Sequence, residues 1–404
     1  MREYSRDMLC ETLMELEYSA EHRQFAEEVD AFLRANWRKP ATTDAVEKAE
    51  HVRRFRALAT EQGYLYRGFP RHLGGSEQPA DAMRAQIIRE CFERARAPME
   101  YEGIGVTMLA PTLLERGADW QKEEFIPGTL SGEIRWAQGY SEPNAGSDLA
   151  SLATRGELRD GLWHINGHKI WTTRAYECTH MFALVRTEPG AGKHDGISYL
   201  LLKLDQPGVT IRRIHQISGQ SEFCEVFLDD VTTPADWIVG ERGEGWKVSR
   251  TTLKHERNSI GGVRTLRLFE SLVRMARKQT RNGKPVIEDP VIRERILEIE
   301  GHVRAQMYSG YYQMTCDLMG EPVGIHGLTN KLAATEIGLR IAELATDIIG
   351  EDALAFPEKG ERSGANWLNQ IFGALALSIA GGASNIQRNL IAERGLDLPR
   401  VAKG

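Results

Sequence analysis

The sequence predicts a mainly α fold with a β domain in its middle. The expected order is a helical N-domain over residues 1–133, a barrel or sandwich of short strands over 134–242, and a C-terminal four-helix bundle over 243–404. Three observations predict it. Apolar residues recur with helical period up to about residue 132, short β-rich runs separated by Gly, Pro and Asp follow, and long helical periodicity returns after Gly245. A chain of 404 residues, 41% of them hydrophobic, has the apolar content for more than one packed core.

In the first zone Phe25, Val29, Phe32 and Leu33 fall on one stripe of an amphipathic helix. Pro70 and Gly74-Gly75 punctuate the next stretch, and a helix resumes at Asp81. Residues 104–115 are largely apolar and read as a more deeply buried helix. In the second zone LWHINGHKIWTT (162–173) carries Asn166-Gly167 between two β-rich runs, which predicts a hairpin turn there. MFALVRTE, ISYLLLKLD, VTIRRI and CEVFLDDV add strands, giving at least six. In the third zone periodic segments over Trp246–Lys278, Pro290–Met319, Leu328–Ile349 and Asn366–Arg394 predict the four helices of a bundle.

Composition excludes several classes of partner. Lys and Arg total 51 against 57 Asp and Glu, a net charge of −6 with both signs interspersed, so no global field attracts nucleic acid or an anionic membrane. No apolar run approaches the ~20 residues that span a bilayer, and the N-terminus lacks the apolar core of a secretory signal. Cys10, Cys91, Cys178, Cys224 and Cys316 are odd in number and far apart, reading as reduced thiols of a cytoplasmic protein. GxGxxG after a strand, GxxxxGK[ST], GxSxG and HExxH are all missing, and the histidines are scattered, so no metal is expected. The reactive chemistry is then expected from an organic cofactor.

The most specific segment is WAQGYSEPNAGSD (136–148). Taken alone it is a polar turn. The string nevertheless resembles the signature of the FAD-dependent acyl-CoA dehydrogenases, and three further segments match in the same order: INGHKIWTT (165–173), FCEVFLDDVTTPADWIVGERGEGW (223–246) and GGASNIQRNLIAERGLDLPR (381–400). The resemblance covers most of the chain and implies FAD as cofactor. By it, Gln138, Tyr140 and Ser141 line the flavin, Trp171 flanks the ring, Thr173 donates near N5, and Ser147 binds a pyrophosphate or pantetheine group. An isoalloxazine needs such flat apolar surface on one face and aimed donors at its edge. Trp171 without the resemblance reads as a core tryptophan.

The reaction implied is α,β-desaturation of an acyl-CoA thioester, with a base taking the α-proton while the β-hydride passes to flavin N5. A carboxylate desolvated by the acyl chain can be that base. Many members carry it just before the glycine of the C-terminal motif, and here that position is Gly381. Branched-chain, long-chain and sterol side-chain members place it on the first long helix of the bundle instead. The resemblance therefore implies Glu256 as base and Arg257 as a substrate anchor, with His255 structural; read alone, Glu256 is a solvated helix acid.

Other positions depart from the pattern. The Arg-x-x-Phe-Gly that follows the long helix lacks its phenylalanine, leaving Arg281 as the counterpart that reaches a neighbouring subunit's FAD and Arg277 as the other candidate. Ala383 replaces a common threonine. Gly350 permits close approach of FAD and reads equally as a helix C-cap. Expected partners are an acyl-CoA substrate, an electron-transfer flavoprotein as acceptor, and further copies in a homodimer or homotetramer. The alternatives are a non-catalytic partner subunit of a hetero-oligomer, motivated by Gly381 and Ala383, and a flavin oxidase or monooxygenase on the same scaffold.

Overall fold

The computed structural model describes residues 18–258, 262–354 and 365–399. The N-terminal part is helical: α1 (Ala20–Asn36), α2 (Ala45–Glu61), α3 (Ala82–Ala95), α4 (Ala110–Arg116) and α5 (Asp119–Ser131). Ser19, Asp44 and Asp81 cap α1 to α3 through side-chain oxygens that accept from early backbone N–H groups. The expected stripe of α1 is used, with Val29 and Leu33 buried. Residues Gly105–Leu109 form a π turn that leads into α4.

Seven strands follow in one curled sheet: β1 (Trp136–Gly139), β2 (Arg155–Arg159), β3 (Leu162–Thr173), β4 (His180–Arg186), β5 (Ile197–Lys203), β6 (Val209–Arg213) and β7 (Phe223–Pro234). The order is β1-β4-β2-β3-β7-β6, with β5 on the other edge of β4. β1 runs parallel to β4, while β3 pairs antiparallel with β2 and β7. β4 and β5 are buried on both faces, and their side chains divide by parity. Phe182, Leu184, Tyr199 and Leu201 join the core of the N-terminal helices, whereas Met181, Ala183, Val185, Leu200 and Leu202 fill the inside of the curl.

The hairpin expected at Asn166-Gly167 is not there. β3 runs unbroken through both residues, and the turn lies at Asp160-Gly161, whose φ values of 51° and 78° suit the tight β2–β3 connection. Gly167 is needed for a different reason: a Cβ there would lie 2.2 Å from Thr154 Oγ1. The Asn166 side chain accepts from Asp230 N–H at 2.9 Å, where β7 carries an extra residue.

The C-terminal part is helical, with one correction to the four expected helices. The first segment contains α6 (Gly245–Asn258) and α7 (Gly262–Lys278), and residues 259–261 between them lie outside the described ones. α8 (Pro290–Met319) and α9 (Ile325–Ile349) follow. The last segment is α10 (Ala365–Leu377) and α11 (Ser384–Leu390), separated by a turn in which Gly381 and Gly382 have φ of 63° and 99°. Two successive left-handed glycines end a helix that periodicity alone carries on. Phe269, Leu272, Ile296, Ile337, Ile341 and Leu344 form a core separate from that of the sheet.

Candidate active site

The residues of 136–148 leave β1 and enter a turn closed by reciprocal backbone bonds between Glu142 and Ala145, at 3.1 and 3.0 Å. The turn is fastened to β3 twice. Ile170 N–H donates to Ser141 O at 2.9 Å, and Lys169 Nζ donates to Tyr140 O at 3.3 Å. Lys169 is 0% exposed and also donates to Glu142 Oε1 at 2.8 Å and Leu184 O at 2.7 Å. Glu142 in turn accepts from the N–H groups of Ala153 and Thr154, at 2.6 and 3.0 Å. A buried cation and a buried anion therefore satisfy each other and four backbone groups besides.

β3 carries a bulge next to this clamp. Lys169 pairs with Val226 and Thr172 with Cys224, so Ile170 and Trp171 together oppose Glu225. The extra residue inverts parity. Without it Trp171 and Thr173 would share the inward face of Lys169; with it Thr172 is buried while Trp171 and Thr173 are exposed. Trp171 is 55% exposed with φ of 62°, a conformation unusual for a bulky residue, and its ring meets Phe223 edge-on at 6.1 Å. Ser141, Trp171 and Thr173 are thus brought to one place.

Other predicted residues fall elsewhere. Gln138 is half-buried in β1. The ring of Tyr140 is turned into the core, edge-on to Phe182 and Tyr199 at 5.9 and 6.2 Å, and is not part of the open surface. Ser147 is exposed beside Asp148, both of whose carboxylate oxygens accept from Lys193 Nζ at 2.7 Å. Arg281 and Gly350 come together on the bundle: Arg281 Nη2 donates at 2.8 Å to Asp347 O in the last turn of α9, and Gly350 is that helix's C-cap. Arg277 instead lines a cavity of about 430 Å³ between α7 and α8. Gly381 lies in a turn held by Lys331, whose Nζ donates to Leu377 O at 2.8 Å and Gly382 O at 2.7 Å. Glu256 and Arg257 belong to the last turn of α6, and their side chains lie outside the described ones.

The amino-terminal, middle and carboxy-terminal domain families of the acyl-CoA dehydrogenases match residues 19–133, 137–231 and 243–396. The chain belongs to the acyl-CoA dehydrogenase family. It is 40% identical to acyl-CoA dehydrogenase IpdE1 of Mycobacterium tuberculosis over 89% of this chain and 91% of that protein. Its similarity to IpdE1 of Mycolicibacterium smegmatis is 39% over 83% and 86%. Among solved structures, the Tcur3481-Tcur3483 steroid ACAD superimposes with a TM-score of 0.77 at 27% identity, over 96% of this chain and all of that one. The protein is an oxidoreductase of this family with its helix–sheet–helix architecture. Among the described residues, no helix is long and apolar enough to cross a membrane, and no group of three His, Cys, Asp or Glu could hold a metal.

Glu142 and Lys169 lie inside two of the motifs that carry the family resemblance, with no role expected from the motifs alone. The signal was a lysine that continues the inward alternation of Trp163 and Ile165.

Proposed function

We propose that this acyl-CoA dehydrogenase desaturates the α,β bond of a bulky, branched or ring-bearing acyl-CoA thioester, with Glu256 as the base. The observation that carries the reading is the juxtaposition at the end of β3: an exposed indole, a hydroxyl two residues on, and the Ser141 backbone bonded to the residue between Lys169 and Trp171. Those groups fit FAD, since Trp171 offers flat apolar surface and Ser141 and Thr173 offer edge hydrogen bonds. FAD, when bound, supplies the acceptor for the β-hydride.

The chain's own residues do the rest. Glu256 takes the α-proton, and Arg257 anchors substrate. Gln138 and Ser141 orient the cofactor edge, Tyr140 acts through its backbone, and Ser147 receives the pantetheine or pyrophosphate segment. Arg281 and Gly350 contact the cofactor of a neighbouring subunit. The arrangement of Arg281 beside Gly350 favours it over Arg277 for that role. The bulky substrate is supported by the likeness to a steroid ACAD and by a base on α6 rather than at Gly381. An electron-transfer flavoprotein serves as acceptor, the protein works in the cytoplasm, and copies associate as a homodimer or homotetramer.

Glu256→Gln is expected to retain FAD and to slow anaerobic bleaching of the flavin by acyl-CoA about 10²–10⁴-fold, the range removed with a general base. Near-wild-type bleaching would reject Glu256 as base. A second reading, a partner subunit in a hetero-oligomer, is favoured by Gly381 and by the pairing of differently named chains in the Tcur3481-Tcur3483 structure. It requires that the chain purified alone cannot be loaded with FAD, which visible absorbance decides.

A further inference from the structure

We propose that Thr252 is a positioning residue that holds the helix carrying Glu256 in register with the loop facing the flavin, through a chain of buried hydroxyls crossing all three parts of the molecule. The inference rests on the function proposed above.

Tyr140 lies in the loop after β1. The Tyr140 ring packs edge-on against that of Tyr199 on β5, with centroids 6.2 Å apart, and the run of hydroxyls starts from Tyr199. Tyr199 OH lies 3.3 Å from Thr252 Oγ1 on α6, which lies 3.0 Å from Thr112 Oγ1 on α4, itself 2.7 Å from Met108 O. Tyr199, Thr252 and Thr112 are each 0% exposed. Each hydroxyl has one proton, and the Met108 carbonyl can only accept. Thr112 Oγ1 has both Met108 O and Thr252 Oγ1 within donating reach, and either hydroxyl of the Tyr199–Thr252 pair can donate to the other. Polarisation along such a buried run strengthens each bond. Thr252 Oγ1 also lies 3.3 Å from Val248 O of its own helix, the bond it would fall back on alone.

Position decides the role. Residue 252 precedes residue 256 by one helical turn, on the same face by register. Thr252 is where α6 is tied both to the sheet and to the N-terminal helices. Two flanking bonds close the same seam: Arg116 Nε donates to Thr251 Oγ1 at 3.3 Å, and His255 Nε2 pairs with Glu115 Oε1 at 2.8 Å. An apolar side chain would pack at 252 without the desolvation cost of a hydroxyl. The hydroxyl adds direction: it fixes the rotation of α6 about its axis relative to Tyr199, whose ring packs against Tyr140, the neighbour of Ser141 in the candidate site.

The test uses the full chain loaded with FAD, in wild type and in the variants Thr252→Val, Thr252→Ser and Tyr199→Phe, with Glu256→Gln alongside. Anaerobic flavin bleaching is followed with a panel of straight, branched and ring-bearing acyl-CoA thioesters, and amide hydrogen exchange is measured over residues 253–258. Thr252→Val is expected to slow bleaching at saturating substrate on the order of 10–100-fold, the effect of slight misplacement, with KM little changed. Thr252→Ser is expected to recover the rate. Combining Thr252→Val with Tyr199→Phe is expected to add no further loss, because both break one chain. Exchange over 253–258 is expected to quicken in both hydroxyl deletions.

A wild-type rate in Thr252→Val, or a Thr252→Ser variant as slow as Thr252→Val, overturns the proposal. Should Thr252→Val not fold, Tyr199→Phe decides, and a wild-type rate there overturns it equally. If no thioester bleaches the wild-type flavin, or if Glu256→Gln bleaches normally, the function reading fails instead. Hydrogen exchange then decides the chain by itself, and unchanged exchange in both variants overturns it.

Discussion

At the scale of single residues, Lys169 enters the sheet as a charge shut off from solvent, 0% exposed. Burial pushes its amine down to about 8, with the attraction of Glu142 opposing. Burial pushes the Glu142 carboxyl up, but Lys169 and the bonds from residues 153 and 154 outweigh it and hold the group below its ordinary value. The signs follow. Glu142 contributes stability above its unfolded pKa that is lost as pH falls through the folded value. Lys169 carries a penalty at neutral pH that fades as pH rises from about 8 toward its unfolded pKa. Acid unfolding is therefore expected to be steeper in wild type than in Glu142→Gln, measured by denaturant titration across the acid range. Lys169→Met, which strands a buried carboxylate, is expected to cost about 3–5 kcal/mol at neutral pH, and the double variant with Glu142→Gln less than the sum. Both residues were visible in the sequence. Their partnership was not, because 27 positions separate two groups that only the sheet brings to 2.8 Å.

At the scale of elements, β3 shows where local signals suffice and where they fail. Its length and composition read as strand. Its turn was misplaced, because Asn166-Gly167 and Asp160-Gly161 are equally good local turn signals and long-range pairing with β7 chooses between them. Gly161→Ala is expected to cost about 1 kcal/mol for a left-handed φ. Gly167→Ala is expected to cost more, since its Cβ meets Thr154 within van der Waals distance and β2 must move; thermal unfolding of the two variants ranks them. The bulge at Ile170-Trp171 is likewise a pairing property. Strict alternation from Lys169 sends Trp171 inward, as a core tryptophan, and the extra residue sends it out. The helices of the bundle were legible because their apolar period is local, and the break at Gly381-Gly382 was not, because the period continues across it.

For the whole molecule, the decisive feature is a shared core. One face of β4 and β5 packs with Val29, Phe92, Leu109 and Leu113 of the helical part, and Phe182 stacks on Tyr199 at 5.8 Å within it. The C-terminal bundle has its own core. Phe182→Ala is therefore expected to cost about 3–5 kcal/mol and to speed hydrogen exchange in both the N-terminal helices and the sheet. Exchange in α8 and α9 is expected to change little. Quickened exchange confined to the sheet would contradict a shared core.

Sequence by itself determined the order of helical and β parts and the family. These depend on local period and on residue strings that survive without geometry. Tertiary structure decided the direction in which those residues face: Trp171 and Thr173 outward, the Tyr140 ring inward, Arg281 beside Gly350, and Thr252 between Tyr199 and Thr112. Facing is set by strand register, by one extra residue in a ladder and by bonds between groups far apart in the chain, none of which has a local signature.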